Sequence, residues 1–287
     1  VPIRPAVARP FAVCAALATL LAISGCDVRE RADRGGTESG ATSEASQPPP
    51  TSRDPEAAGD SRPKLRARTI TIDGVVLRVA ARKAPVVTAD EVTPGLHTVT
   101  LALARGGSAR VALVSPGALD VDTDGSITVL DGNGTPVAAI GPPAPPSGTE
   151  GNTPRIDVTD TDATHARVEV DDRVRPVQGS GTAGSGPLQV TLAVGTDAIE
   201  SATWGENEGG RSLAVDPADW ARHAGQAGVD LIRTQLVAAE PDAGSTTMDD
   251  QLVCHAVGAP EKATWNLEPW RPEVGLILTA TAQCNPV

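Results

Sequence analysis

The sequence predicts two folded parts behind a leader that does not fold. Residues 65–195 read as an all-β region. Residues 196–287 read as an α+β region, with one main helix on a small, mostly antiparallel sheet. Three observations carry this expectation. Short runs from Leu65 to Val194 alternate apolar with polar residues, and no segment there keeps a helical period. Tryptophan appears only after Thr196, with all four copies falling between Trp204 and Trp270.

The leader comes first. Arg4 and Arg9 charge its opening, and Phe11–Ile23 is an apolar run too short to span a bilayer stably. The run closes on Leu21-Ala22-Ile23-Ser24-Gly25-Cys26. Small residues ahead of a cysteine suit a peptidase that cuts before a thiol carrying diacylglycerol. The segment resembles a bacterial lipobox, which implies a signal peptide over 1–25, lipidation at Cys26 and attachment to the extracytoplasmic face of the cell membrane. The other reading is an ordinary secretory signal in which Cys26 is incidental. Residues 26–64 are rich in Ser, Thr, Pro, Gly and charge, with Pro48-Pro49-Pro50 near the centre. They hold too little apolar surface to fold and read as a solvated tether. Fully extended, such a segment would reach roughly 100 Å.

Charge narrows the partners. The chain carries 24 basic and 36 acidic residues, net −12. Residues 1–25 contain two arginines and no acid, so a processed chain would stand at net −14. That balance argues against nucleic acid, whose phosphates it repels. No polybasic run appears for anionic lipid, so membrane attachment rests on acyl chains. A cell-wall glycan or an envelope protein remains as partner. With Cys14 in the signal and Cys26 committed to lipid, Cys254 and Cys284 are left to pair in an oxidising compartment.

In the β region, Arg68–Val79 alternates around an Asp73-Gly74 turn, the pattern of a hairpin. Further strands are expected at His97–Leu103, Arg110–Val114, Ser126–Leu130, Val137–Ile140, Ala166–Val170 and Leu188–Val194. The region has no Trp, Tyr or Phe, so its core must be Val, Leu, Ile and Ala. Such a core suits an open sheet or sandwich, with long loops at 141–153 and 177–186.

In the α+β region, strands are expected at Ala198–Trp204 and Arg211–Val215, around the acidic, Gly-rich loop at 205–210. A helix is expected to open with Asp216 as N-cap, Pro217 in its first position and Asp219 as capping partner. Val229, Ile232 and Leu236 give it an apolar face, Gly225 can break it, and Pro241 ends it at Glu240. Gln251–Val257, Ala263–Leu267 and Gly275–Ala282 are expected as strands, so that the Cys254–Cys284 bridge would tie the first of these to the last.

Residues 198–287 resemble a family of secreted proteins from GC-rich Gram-positive bacteria known only as a domain of unknown function. Trp204, Leu213, Val215, Pro217, Met248, Gln251, Cys254, His255 and Lys262 carry the resemblance. So do the run Trp265-Asn266-Leu267-Glu268-Pro269-Trp270-Arg271-Pro272 and the closing Cys284-Asn285-Pro286. The run from Trp265 to Pro272 is its specific part. The preceding Asp124–Gly132 stretch is similar to the segment that often precedes this domain. The resemblance implies kinship and no activity.

Three constellations can carry chemistry. Asp120, Asp122, Asp124, Ser126, Thr128 and Asp131 fall at positions 1, 3, 5, 7, 9 and 12 of a calcium loop, with Gly125 at position 6. Asp131 is shorter than the usual Glu, and strand-like sequence flanks the loop where helices should stand, so a polar Asp124-Gly125 hairpin turn is the competing reading. His255, with Asp249 and Asp250 just before it, has the residue types of a general base or metal ligand. The competing reading is a hydrogen-bonded side chain beside the disulfide. Glu268, Trp270 and Arg271 can form a binding surface for a sugar, carboxylate or phosphate, or simply close a core. The function these features favour is a lipid-anchored envelope protein with a non-catalytic structural or binding role. A wall- or lipid-directed hydrolase built on His255 and a calcium-stabilised surface protein are the alternatives.

Overall fold

The computed structural model describes residues 64–144, 154–171 and 186–287. The expected signal peptide, Cys26, nearly all of the tether and parts of both long loops lie outside them. The described residues belong to one compact unit.

Eleven strands build a two-sheet sandwich. The first sheet runs in the order β1 (Arg66–Ile72), β2 (Val75–Ala81), β5 (Ser108–Leu113), β10 (His165–Val170), β9 (Ile156–Asp162). The second runs β3 (Val86–Ala89), β4 (Leu96–Leu103), β11 (Leu188–Gly195), β8 (Pro136–Ile140), β7 (Ile127–Leu130), β6 (Ala118–Val121). Pairings within both sheets are antiparallel. Alternation places Leu77, Val79, Val111 and Val168 of one sheet and Val99, Leu101, Ile127 and Leu192 of the other in a single aliphatic core. The β1–β2 turn uses Asp73 at φ 45° and Gly74 at φ 84°, the left-handed pair that a two-residue hairpin requires. Three strands are absent from the sequence expectation. β3 and β9 are edge strands with mostly exposed or half-buried side chains, so they show little apolar alternation. β6 falls inside the stretch that reads as a calcium loop.

The C-terminal part has a third sheet, β12 (Ile199–Asn207), β13 (Gly210–Pro217) and β14 (Trp265–Leu267), in that order. Four helices accompany it: α1 (Asp219–Arg222), α2 (Gly225–Ala239), α3 (Thr246–Gly258) and α4 (Leu276–Thr281). The expected main helix is therefore displaced at its start. Asp216 and Pro217 finish β13, Ala218 precedes α1, and the chain breaks at His223 and Ala224 before α2 begins at Gly225. Its end is where Pro241 sets it, with Glu240 as the last, non-helical residue.

Two expected strands are helices. Residues 251–257 belong to α3, which starts earlier, where Ser245 Oγ accepts a hydrogen bond from the Met248 amide at 3.3 Å. Met248, Gln251, Leu252 and His255 are its buried face, a helical spacing visible only when polar Gln251 and His255 are counted as interior. Residues 276–281 form α4 despite their β-branched composition. The helix is short, Ile277 and Leu278 are largely exposed, and the Cys284 amide donates to the Thr279 carbonyl at 2.9 Å to close its end. Local propensity is a weak prior here, and tertiary contacts override it.

The two parts share a seam. Helix α2 lies against β7 and β8 of the sandwich, and Ala139 of β8 joins the helix-side core with Ala224, Ala227, Leu231 and Ile232. Just inside the second part, Gln235 accepts from the Ala198 amide at 2.9 Å, and the Trp220 indole donates to the Asp197 carbonyl at 2.9 Å. Among the described residues, no helix is long and apolar enough to cross a membrane.

Candidate functional site

Glu268 comes directly after β14, and the chain then turns so that Arg271 points back at it. Both side chains are about 1% exposed and form a buried ion pair. Polar groups from neighbouring segments are drawn in. Asn207 donates to Glu268 Oε1 at 3.0 Å, Arg271 Nη2 reaches Glu208 at 2.5 Å, and Arg271 Nη1 donates to the Pro286 carbonyl at 3.1 Å. Gln251, fully buried on α3, donates to the Glu268 carbonyl at 3.0 Å and accepts from the Glu268 amide at 2.9 Å. This cluster pins four separate pieces of chain: the β12–β13 turn, α3, the run after β14 and the C-terminus. Trp270 packs against Gly210 so closely that a Cβ there would clash, and its ring lies 4.6 Å from the Arg271 guanidinium. Trp270 stays 44% exposed. The expected binding surface is thereby corrected for two of its three residues. Glu268 and Arg271 lie in the interior because each is the other's neutralising partner, and only Trp270 reaches solvent.

His255 sits on the inner face of α3, 2% exposed, with its ring stacked parallel to Trp265 at 6.3 Å between centroids. Its Nε2 lies 3.3 Å from the Asn266 carbonyl, while Nδ1 has no hydrogen-bond partner. Burial, with Lys262 nearby, brings its pKa down from 6.5 to about 4, so the ring is neutral at physiological pH. The two acids expected to assist it are elsewhere. Asp249 pairs with Arg233 of α2. Asp250 has a carboxyl pushed up by burial and by the neighbouring Asp249 and Glu273. Among the described residues His255 has no carboxylate partner, because residues 249, 250 and 255 occupy different faces of a helix rather than one edge of a strand. That arrangement does not make an acid–base pair.

The Asp120–Asp131 stretch is a β-hairpin. Asp120 of β6 pairs across with Thr128 of β7, and Asp131 lies beyond β7 in the next turn, accepting from the Asn133 and Thr135 amides at 2.8 and 2.9 Å. Asp122 accepts from the hydroxyls of Ser126 and Thr128, both at 3.2 Å. Asp124 reaches across to α2, where its Oδ2 accepts from the Gln226 amide at 2.8 Å, while Ser126 Oγ accepts from the Ala227 amide at 3.1 Å. The six residues expected to share a cation are thus divided. Asp131 belongs to a separate turn, Asp120 lies in the strand ladder, and Asp124 and Ser126 cap a helix from the other part of the molecule. Among the described residues, no group of three or more His, Cys, Asp or Glu is placed to hold a metal. Burial pushes the Asp124 carboxyl up, but hydrogen bonds from Ser126 and Gln226 outweigh it and hold it below the usual range. Burial pushes Asp122 above it.

Cys254 and Cys284 form a disulfide that joins α3 to the chain just after α4. It ties helix α3 to the segment that follows α4, not strand to strand. Between them lies a groove of about 480 Å³, lined by Val253, Val257, Leu276 and Ala280 among others. Arg222 carries no signal in the sequence. Its guanidinium donates to the carbonyls of Pro217, Pro260, Lys262 and Ala263, pairs with Asp216 at 2.6 Å and lies 5.3 Å from the Trp265 ring. Nor do Asn207 and Glu208 carry any local signal beyond an acidic, glycine-rich turn.

The residues gathered here coincide with a known domain. A family model described as "Protein of unknown function (DUF2599)" matches residues 199–287, from the start of β12 to the C-terminus. Uncharacterized proteins of Mycobacterium bovis and of Mycobacterium tuberculosis are 32% identical over 126 residues, which cover 41% of this chain and 81% of theirs. No solved structure matches. The resemblance placed on residues 198–287 therefore holds at the level of the domain, and the chain belongs to the DUF2599 family of proteins of unknown function.

Proposed function

We propose that this protein is lipid-anchored through Cys26 at the extracytoplasmic face of the bacterial cell membrane. Its folded part serves a non-catalytic role there, structural or in binding a wall glycan or another envelope protein. The anchor rests on the apolar run Phe11–Ile23 and the Leu21–Cys26 motif that closes it. Support for the non-catalytic role comes from the way the family's signature residues are spent. Glu268, Arg271 and Gln251 satisfy one another in the interior, and His255 faces Trp265 and a carbonyl oxygen. A general acid or base needs a partner group and access to substrate in the same cleft.

Cell fractionation of a Cys26→Ala variant tests the anchor. The variant is expected in the soluble fraction and the parent with the membrane. Retention of the variant on the membrane would overturn the lipid assignment.

A further inference from the structure

The outer face of the first sheet gathers three arginines that are far apart in the sequence. Arg78, Arg110 and Arg167 stand on the adjacent strands β2, β5 and β10. The register puts Arg110 directly opposite Arg167, and Arg78 on the next row, opposite Ala112. All three are exposed. Among the described residues, Arg78 and Arg110 pair with no carboxylate, and the nearest acid to Arg167 is Glu169 at 3.9 Å. Of the other described arginines, Arg155, Arg211, Arg222, Arg233 and Arg271 each hold a carboxylate, while Arg66, Arg68, Arg82 and Arg105 hold none. Like charges directly opposite on neighbouring strands are destabilising. A chain with 36 acids nonetheless gives Arg78 and Arg110 no carboxylate among the described residues and Arg167 only the 3.9 Å contact with Glu169, which points to an anion supplied from outside.

The shape of the patch indicates which anion. Ala67, Ala80 and Ala112 leave its floor low, forming one shallow basin of about 230 Å³ and a second of about 110 Å³ between the arginines. Both basins are smaller than the usual enclosed ligand site, and two side by side suit separate headgroups more than one larger ligand. Leu65, 42% exposed, borders both basins and is where the chain enters the fold from residues 26–64. Acids border the patch as well: Glu169 contacts Arg167 and stands opposite Asp157 of β9, and Asp162 holds His165, which lines the larger basin. Leu65 itself lies on the basic side.

We propose that Arg78, Arg110 and Arg167 form a docking face for the phosphodiester headgroups of an anionic lipid surface. The setting rests on the lipid-anchor reading: a flexible tether of nearly 40 residues would keep the fold at a root-mean-square distance of about 35 Å from its anchor, so a weak contact is made repeatedly. The sequence carries no polybasic run, and the three arginines come together only after the strands pair.

The test uses the full chain carrying Cys26→Ala, so that no acyl chain contributes. Its sedimentation is measured with vesicles of phosphatidylcholine alone and of phosphatidylcholine mixed equally with phosphatidylglycerol. Binding is expected only to the anionic vesicles, weakening with salt and falling about five-fold for each of Arg78→Thr, Arg110→Thr and Arg167→Thr. Arg→Lys at the same positions should retain most of it. Melting temperatures should stay level or rise, because Arg110→Thr removes a like-charge pair. Equal binding to both vesicle types, or threonine variants that bind as the parent does, overturns the proposal. So does a response of these arginines to inorganic phosphate without vesicle binding, which would mark a free-anion site. Because the chain used is unlipidated, this outcome is independent of whether the Cys26 anchor is correct.

Discussion

His255 shows how burial decides the character of a residue. The folded chain keeps the ring neutral down to about pH 4, while in the unfolded chain it takes up a proton near 6.5. Between those values the unfolded state binds more protons, so stability falls as pH falls. The contribution is complete above pH 6.5 and lost on approach to 4, an effect on the order of 3 kcal/mol. Thermal melts across that window should show a shallower acid decline for His255→Phe than for the parent, and equal slopes would refute this account. Glu268 makes the complementary point. Removing one member of a buried pair leaves the other uncompensated, so Glu268→Leu alone is expected to cost about 3–5 kcal/mol. The double variant Glu268→Leu, Arg271→Met should recover part of that loss in denaturant titrations. A double variant no more stable than the single one would mean that the pair is not the main term.

At the scale of elements, α2 is the instructive case. It has no side-chain cap of its own, Ala224 stands before it, and Gly225 opens it at φ 68°. Its first amides are satisfied by Asp124 and Ser126 of the β6–β7 turn, roughly a hundred residues earlier. The residues that read as a calcium loop thus serve as a helix cap supplied across the seam. Asp124→Ala should lower stability by about 1 kcal/mol, the usual worth of a cap. Calcium chloride should leave the parent's melting temperature unchanged, because these oxygens already accept hydrogen bonds. A rise on adding calcium would return the loop to its cation-binding reading.

For the whole molecule, the disulfide and the seam matter most. The bridge closes a loop with a sequence separation of 30, worth about 3–4 kcal/mol on the chain-entropy account. Reduction should lower the melting temperature measurably, and a reduced protein that melts with the parent would show the bridge to be dispensable. The helix-side core is small, but it borrows Ala139 from the sandwich and sets α2 on β7 and β8.

Short-range pattern is the part of this protein that the sequence determined by itself. Alternation in an aliphatic region forced paired strands, Asp73-Gly74 forced a hairpin, Pro241 ended a helix, and the run from Trp265 to Pro272 carried the family. The sequence also brought Glu268 and Arg271 to notice as a pair. Tertiary structure decided the rest, because those outcomes depend on partners distant along the chain. Residues 251–257 became helix because Ser245 caps them and Gln251 finds Glu268 in the interior. The cap of α2 and the triad of Arg78, Arg110 and Arg167 exist only once strands and helices from separate segments meet. A local pattern encodes which side chains can be buried, but which charges find a partner there is settled by packing.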